Sequence, residues 1–427
     1  MDKIRITGGV PLKGVVQISG SKNAALPLMA TSLLTEEPLQ LSNLPHIADI
    51  ATMANLLVQH GTELTLDGCV DNGGHSGDVI KLHSHNITSL EAPYDIVSTM
   101  RASVLVLAPL LARFGRARVS LPGGCAIGSR PIDMHLKALI QMGAEIALED
   151  GYINASVNGR LKGAEIGFEK VSVGATENML MAATLADGTT ILRNAAKEPE
   201  VTDLAHCLVQ MGAHIEGIGT DTLTIEGVRA LHGTCYSVIP DRIEAGTYMI
   251  AAAITGGDVE IRGVHRESMA ATIEKLSEMG IQIDWLNDQA LRVISRAPIQ
   301  SVNLITQPYP GFATDLQAQL MALMTVAQGT SVVTETIFEN RFMHASELTR
   351  MGADIMIDGH TAIVKGIKQL KGAQLMATDL RASVSLVIAA LAAEGETVIN
   401  RMYHIDRGYE RIEEKLIACG ARIERLR

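Results

Sequence analysis

One cysteine of this chain sits where a thiol can do chemistry. Between Ser120 and His135 the sequence runs Ser-Leu-Pro-Gly-Gly-Cys-Ala-Ile-Gly-Ser-Arg-Pro-Ile-Asp-Met-His. Pro122, Gly123, Gly124 and Gly128 exclude a regular element there and predict a loop. Cys125 stands at its tip, five residues before Arg130. A neighbouring cation makes a thiol easier to ionise, and a glycine-rich loop can carry the sulfur over a bound ligand. The plain alternative is a tight turn with an incidental cysteine. Glycines and arginine together, at a point where comparable stretches carry a simple strand-to-helix link, favour the first reading.

A second group of residues breaks an electrostatic rule. Lys22 in Ser19-Gly20-Ser21-Lys22-Asn23, Arg101 in Thr99-Met100-Arg101-Ala102-Ser103 and Arg381 in Thr378-Asp379-Leu380-Arg381-Ala382-Ser383 all open strongly apolar helices. Helix N-termini present free N–H groups and the positive end of the dipole, so a cation there is misplaced unless it faces an anion. Either each meets a bound phosphate or carboxylate, or each pairs with a protein carboxylate, Asp379 being the nearest for Arg381. In Phe312-Ala313-Thr314-Asp315-Leu316-Gln317, Asp315 is open to two roles: a helix cap, or an acceptor for a substrate hydroxyl proton.

These residues must be held by something regular, and the chain repeats. A helix-like stretch closing in Gly-x-x-Ile or a near relative recurs at Gly61, Gly143, Gly212, Gly280, Gly352 and Gly420, spaced 82, 69, 68, 72 and 68 residues apart. That regularity predicts one structural unit used six times. Leu12-Lys13-Gly14, Leu161-Lys162-Gly163, Leu231-His232-Gly233 and Leu370-Lys371-Gly372 mark turns between short alternating strands. An apolar helix follows in each unit, for example over 24–34, 102–111 and 381–392; it is apolar all round and should be interior. A second helix with one charged face, such as Ile273-Glu274-Lys275-Leu276-Ser277-Glu278-Met279, should lie outside. Each recurring Gly sits where a left-handed helix cap is expected. Three units gather three buried helices, so the reading is α/β, two similar lobes of three repeats each, dividing near 220–240. The Gly-rich run 71–77 accounts for the longest step as a surface insertion.

The bulk composition agrees. A chain of 427 residues exceeds one ordinary core, and with 47% apolar but only 3% aromatic residues, Ala, Leu, Ile, Val and 19 Met must do the packing. A net charge of −11 argues against general binding to nucleic acid or anionic membranes. The N-terminal residues lack the apolar stretch of a signal peptide, and the longest apolar runs fall short of a membrane span. Five scattered cysteines without a CxxC read as reduced thiols in a cytoplasmic protein, and no metal-binding spacing stands out among the 13 His.

Four stretches carry a resemblance. Ser19-Gly20-Ser21-Lys22-Asn23-Ala24-Ala25-Leu26-Pro27, the Leu121–Pro131 loop, Thr378-Asp379-Leu380-Arg381-Ala382-Ser383 and Tyr403-His404-Ile405-Asp406-Arg407-Gly408-Tyr409-Glu410-Arg411 resemble the UDP-N-acetylglucosamine 1-carboxyvinyltransferase family of enolpyruvyl transferases. The resemblance implies two lobes, 22–239 and 1–21 with 240–427, each of three βαβαββ-type units forming an inside-out α/β barrel, with the active site in the cleft between them. It implies transfer of the enolpyruvyl group of phosphoenolpyruvate to the 3′-hydroxyl of UDP-N-acetylglucosamine, with release of phosphate, at the start of peptidoglycan precursor synthesis in the cytoplasm. No metal or organic cofactor is implied.

By the same resemblance Cys125 donates the proton to the enol carbon, forms a covalent phospholactoyl (O-phosphothioketal) adduct and is alkylated by fosfomycin. Asp315 matches the acceptor of the hydroxyl proton. Lys22, Arg130 and Arg407 match the phosphoenolpyruvate clamp, Arg101 and Arg381 complete the positive site, and Asn23 bonds the reacting centre. The sugar nucleotide is expected on Arg101, Arg130, Pro131, Ile132, Asp133, Met134, Lys170, Val171, Ser172, Val173, Gly174, Asp315 and Ile337. Arginine suits the trianionic donor because its planar fork grips phosphate and carboxylate in pairs of hydrogen bonds.

Two rivals use a six-unit plan. Enolpyruvylshikimate phosphate synthase shares the donor, but the Cys125 loop and the uridine-contact segment argue against it. A DNA sliding clamp needs basic helices along its channel; the apolar helices here must be buried instead.

Overall fold

The computed structural model describes residues 2–67, 78–122, 132–296 and 298–426. They form six four-stranded sheets of one design. Glu165–Gly167 pairs parallel with Thr189–Arg193 (Glu165↔Ile191), and the buried helix Val173–Thr184 makes the crossover that a parallel pair requires. Thr222–Glu226 then pairs antiparallel with Thr189–Arg193 (Thr189↔Glu226) and with the edge strand His214–Glu216. The amphipathic helix Pro199–Gln210 joins the second strand to the third.

The two helix classes separate as their sequences predict. Every residue from Ala175 to Thr184 of the crossover helix is buried, whereas Ala270–Glu278 buries only Thr272 and Leu276. The recurring glycines cap the outer helices in the left-handed region, with φ of 106° at Gly61 and 86–100° at the other five. There a Cβ would clash with the following carbonyl, which is why glycine recurs.

The Leu-x-Gly turns do not close hairpins. Strands on either side of each belong to successive sheets, as Tyr152–Ser156 and Glu165–Gly167 do around Gly163. A Cβ on Gly163 would stand 2.3 Å from the Thr189 carbonyl oxygen, so the close passage excludes any side chain. A further departure lies at the second buried helix: Arg101–Val106 is a 3-10 turn, and the α-helix begins only at Leu107. Pro109 has no N–H for the Leu105 carbonyl and disfavours α geometry before it.

Two compact units result, one holding the described residues up to 19 and from 240 onward, the other those from 20 to 239. Sheet pairing explains the division. Lys3–Thr7 lies between Glu396–Asn400 and Arg422–Leu426, and Lys13–Gln17 runs parallel to Asp258–Arg262. Conversely, Cys235–Ser237 pairs with Leu39–Leu44. Each unit has its own core, built on Leu, Ile, Ala, Val and Met around three buried helices. Among the described residues no helix is long and apolar enough to cross a membrane.

Candidate active site

In the unit spanning 20–239, Lys22 is delivered by a forced turn. A Cβ on Gly20 would lie 1.7 Å from the Asn43 carbonyl oxygen, so only glycine passes there. Ser21 then caps the helix Lys22–Ala30, its side chain accepting from the Ala24 N–H at 3.4 Å. Lys22 is the first helical residue and Asn23 the second; Pro27 cannot supply the helical hydrogen bond to the Asn23 carbonyl. The misplaced cation has a protein partner. Lys22 Nζ donates to Asp49 Oδ2 at 3.2 Å, with side-chain exposures of 12% and 5%. Asp49 sits in the first turn of Ala48–His60, where a carboxylate suits the dipole. Nothing in the sequence singled out Asp49.

Arg101, half-buried, opens the 3-10 turn ahead of the second buried helix. Two segments expected to meet the sugar nucleotide are packed together. Ile132 precedes the helix Asp133–Gln141, which carries Met134 and the buried His135. Ser172 caps Val173–Thr184 by accepting from the Ala175 N–H, and a Cβ on Gly174 would stand 3.4 Å from His135 Cε1. Lys137 donates to Glu169 at 3.3 Å, beside Lys170 and Val171. His135 is fixed from behind by Asn178, 2.8 Å from its Nδ1. Cys125, Arg130 and Pro131 lie outside the described residues.

In the other unit Asp315 is the centre of a cationic cluster. Arg341 Nη2 donates to its Oδ1 at 2.7 Å and Arg381 Nε to its Oδ2 at 3.2 Å. Both arginine side chains are 5% exposed, against 26% for Asp315. The carboxylate does not cap the 3-10 turn Thr314–Leu316 in which it lies; it is turned to the guanidiniums. Asp379 instead caps the helix: its Oδ1 accepts from the backbone N–H groups of Arg381 and Ala382 at 2.9 and 3.0 Å. Burial opposes the charge on Arg381, but the Tyr409 hydroxyl, 3.1 Å away, and Asp315 outweigh it and raise its pKa.

Arg407 is half-buried in the turn after Met402–His404. That turn packs on the start of the Arg381 helix so closely that a Cβ on Gly408 would lie 2.6 Å from Leu380 Cδ2. Ile337 is placed by Glu335, whose Oε1 accepts from the Ile337 N–H at 2.8 Å and from Thr306 at 2.9 Å. The other oxygen of Glu335 accepts from Thr314, next to Asp315, at 2.9 Å. Arg341 and Glu335 carry no local signal in the sequence for their contacts at the site, since Asp315 is 26 residues from Arg341 and Thr314 is 21 from Glu335.

Behind Arg341, His344 is fully buried with its Nε2 3.2 Å from the Met321 sulfur. Burial, then the Arg341 charge, pushes its pKa down from 6.5 to about 3. The unfolded chain therefore takes up this proton first, so the stabilisation is whole above about pH 6.5 and is lost as pH falls toward 3. On the order of 5 kcal/mol is at stake over that window. His344→Gln should flatten the acid limb of a stability–pH curve measured by urea unfolding; an unchanged slope excludes His344 as its source.

Comparison with known proteins places this geometry. The EPSP synthase (3-phosphoshikimate 1-carboxyvinyltransferase) family model matches residues 6–416. A protein of Paramagnetospirillum magneticum named UDP-N-acetylglucosamine 1-carboxyvinyltransferase is 64% identical over 100% of this chain and 99% of its own. One of that name from Rhodospirillum centenum is 60% identical with the same coverage. Among solved structures, the enolpyruvyl transferase NikO from Streptomyces tendae superposes with a TM-score of 0.88 at 26% identity over 99% of both chains. An EPSP synthase from Acinetobacter baumannii shares the fold at a TM-score of 0.76 and 19% identity over 100% of both. Six sheets of one design, a model match that runs through them and end-to-end identity of this order have one reading: the chain belongs to the EPSP synthase family of enolpyruvyl transferases, among the UDP-N-acetylglucosamine 1-carboxyvinyltransferases.

Proposed function

We propose that this chain transfers the enolpyruvyl group of phosphoenolpyruvate to the 3′-hydroxyl of UDP-N-acetylglucosamine and releases inorganic phosphate. The observation that carries the reading is the 64% identity, over the whole chain, to a relative bearing that name. The product feeds peptidoglycan precursor synthesis in the cytoplasm, where both small-molecule substrates are available.

The reaction is addition followed by elimination. A proton is added to C3 of the enol and the sugar oxygen bonds to C2, giving a tetrahedral ketal. Loss of a proton from C3 and departure of phosphate then restore the double bond. Cys125 is assigned as the proton donor and as the site of the covalent phospholactoyl adduct and of fosfomycin alkylation. Asp315 accepts the hydroxyl proton. Its two guanidinium partners support this role by fixing the direction of its lone pairs.

Lys22, Arg130 and Arg407 hold phosphoenolpyruvate, with Arg101 and Arg381 adding positive charge and Asn23 bonding the reacting centre. The lobes are assigned as 22–239, carrying the Cys125 loop, and 1–21 with 240–427, both serving one pair of substrates. The sugar nucleotide falls to Arg101, 130–134, 170–174, Asp315 and Ile337. The capped helix start at Ser172, with no acidic residue in its first turn, suits the diphosphate.

The test is a phosphate-release assay with each acceptor, before and after fosfomycin. Release with UDP-N-acetylglucosamine, silenced by fosfomycin, is expected. Release with shikimate 3-phosphate and none with UDP-N-acetylglucosamine overturns the reading.

A further inference from the structure

We infer that Glu63, His83 and His85 form a binding site for a borderline divalent cation of the Zn²⁺ or Ni²⁺ type. Glu63 opens the edge strand Glu63–Asp67 and pairs directly with His83, the last residue of Asp78–His83. His85 lies two residues beyond the end of that strand, and its ring packs against that of His83. Between them Ser84 points the other way, fully buried and 2.8 Å from the Thr62 hydroxyl.

The three side chains each offer a ligand atom, and these atoms lie within 4.8 Å of one another. His83 Nδ1 and His85 Nε2 each stand 3.7 Å from a different oxygen of Glu63, and the imidazole centroids are 4.2 Å apart. A separation of 3.7 Å is too long for a hydrogen bond, so neither contact uses up the lone pairs. Ligand atoms that sit about 2.0–2.1 Å from a tetrahedral zinc are about 3.3 Å from each other. Bringing the two His–Glu63 pairs in from 3.7 Å, and the pair of ring nitrogens in from no more than 4.8 Å, takes side-chain rotations alone.

Imidazole-rich sets favour Zn, Ni and Cu over Mg or Ca. With side-chain exposures of 68%, 33% and 42%, the site is open to solvent and leaves coordination positions for water. Glu63 follows the C-terminal end of Ala48–His60, whereas Asp49 is in its first turn. A helix of that length holds them roughly 20 Å apart, so the ion is separate from the lysine proposed to bind phosphoenolpyruvate. What it ties together is the edge strand, its neighbour and the segment beyond.

The experiment is calorimetric titration of the full chain with ZnCl₂ and with NiCl₂, in parallel with Glu63→Gln, His83→Ala and His85→Ala. The expected result is one saturable site, weakened at least about tenfold by each histidine substitution. A Tm rise of roughly 5 °C in excess Zn²⁺ should vanish in the double histidine variant. Because Glu63 and His85 are exposed and His83 is only half-buried, the metal-free Tm should change little. Absence of saturable binding, or binding that both histidine variants keep at full strength, overturns the site.

Discussion

Turnover should fall by a factor of about 10²–10⁴ when Cys125 is replaced by serine, the range that a single positioned proton donor contributes. A serine hydroxyl is far too weak an acid to protonate an enol carbon at neutral pH, although it nearly matches the thiol in shape. Cys125→Asp should keep part of the activity, because a carboxylic acid can also donate. Fold stability should not move, since the exchange is nearly isosteric and falls in a stretch of sequence rich in glycine and proline. Fosfomycin should add one label to the parent chain and none to Cys125→Ser. Competing labels are few among the described cysteines: burial pushes the Cys207 and Cys419 thiols up, leaving Cys235 as the exposed one. Peptide mapping separates a label at Cys235 from one at Cys125. Parental turnover in the serine variant removes the proton-donor role.

Much of the scaffold is legible because it is periodic. The Gly-x-x-Ile repeats mark left-handed helix caps, and the all-apolar and one-faced helices sort into interior and exterior without long-range information. Sheet membership is different. That Lys13–Gln17 pairs with Asp258–Arg262 is a contact across about 245 residues, and no local pattern encodes it. The candidate site divides the same way. Lys22, Arg101 and Arg381 stand out locally as cations at the wrong end of a helix. The carboxylates that answer two of them do not: Asp49 is 27 residues from Lys22, and Asp315 is 66 from Arg381. Asp379, the acid nearest to Arg381 in sequence, is engaged in capping hydrogen bonds to the helix backbone. The metal site has the same character. His83 and His85 alone make no recognised metal motif in the sequence, and the carboxylate that would complete the set comes from the neighbouring strand.

Asp315→Ala should abolish turnover and also destabilise its unit, and the two effects can be separated. The carboxylate is shared by Arg341 and Arg381, both 5% exposed, so its removal strands two cations in low dielectric. Leaving a buried charge unpaired costs about 3–5 kcal/mol. Asp315→Asn keeps the shape and one accepting oxygen but not the charge, so it should recover part of the stability and none of the turnover. Urea midpoints then report the ion cluster, while kcat reports the proton acceptor. Binding of UDP-N-acetylglucosamine should survive in the Asn variant, because the sugar nucleotide is assigned to many residues and loses only one. If Asp315→Asn turns over at the parental rate, the hydroxyl proton leaves by another route. If Asp315→Ala unfolds at the parental urea concentration, the guanidiniums have found other partners. Adding Arg341→Met to Asp315→Ala decides that last point: it removes one stranded cation, so the double variant should be more stable than Asp315→Ala alone.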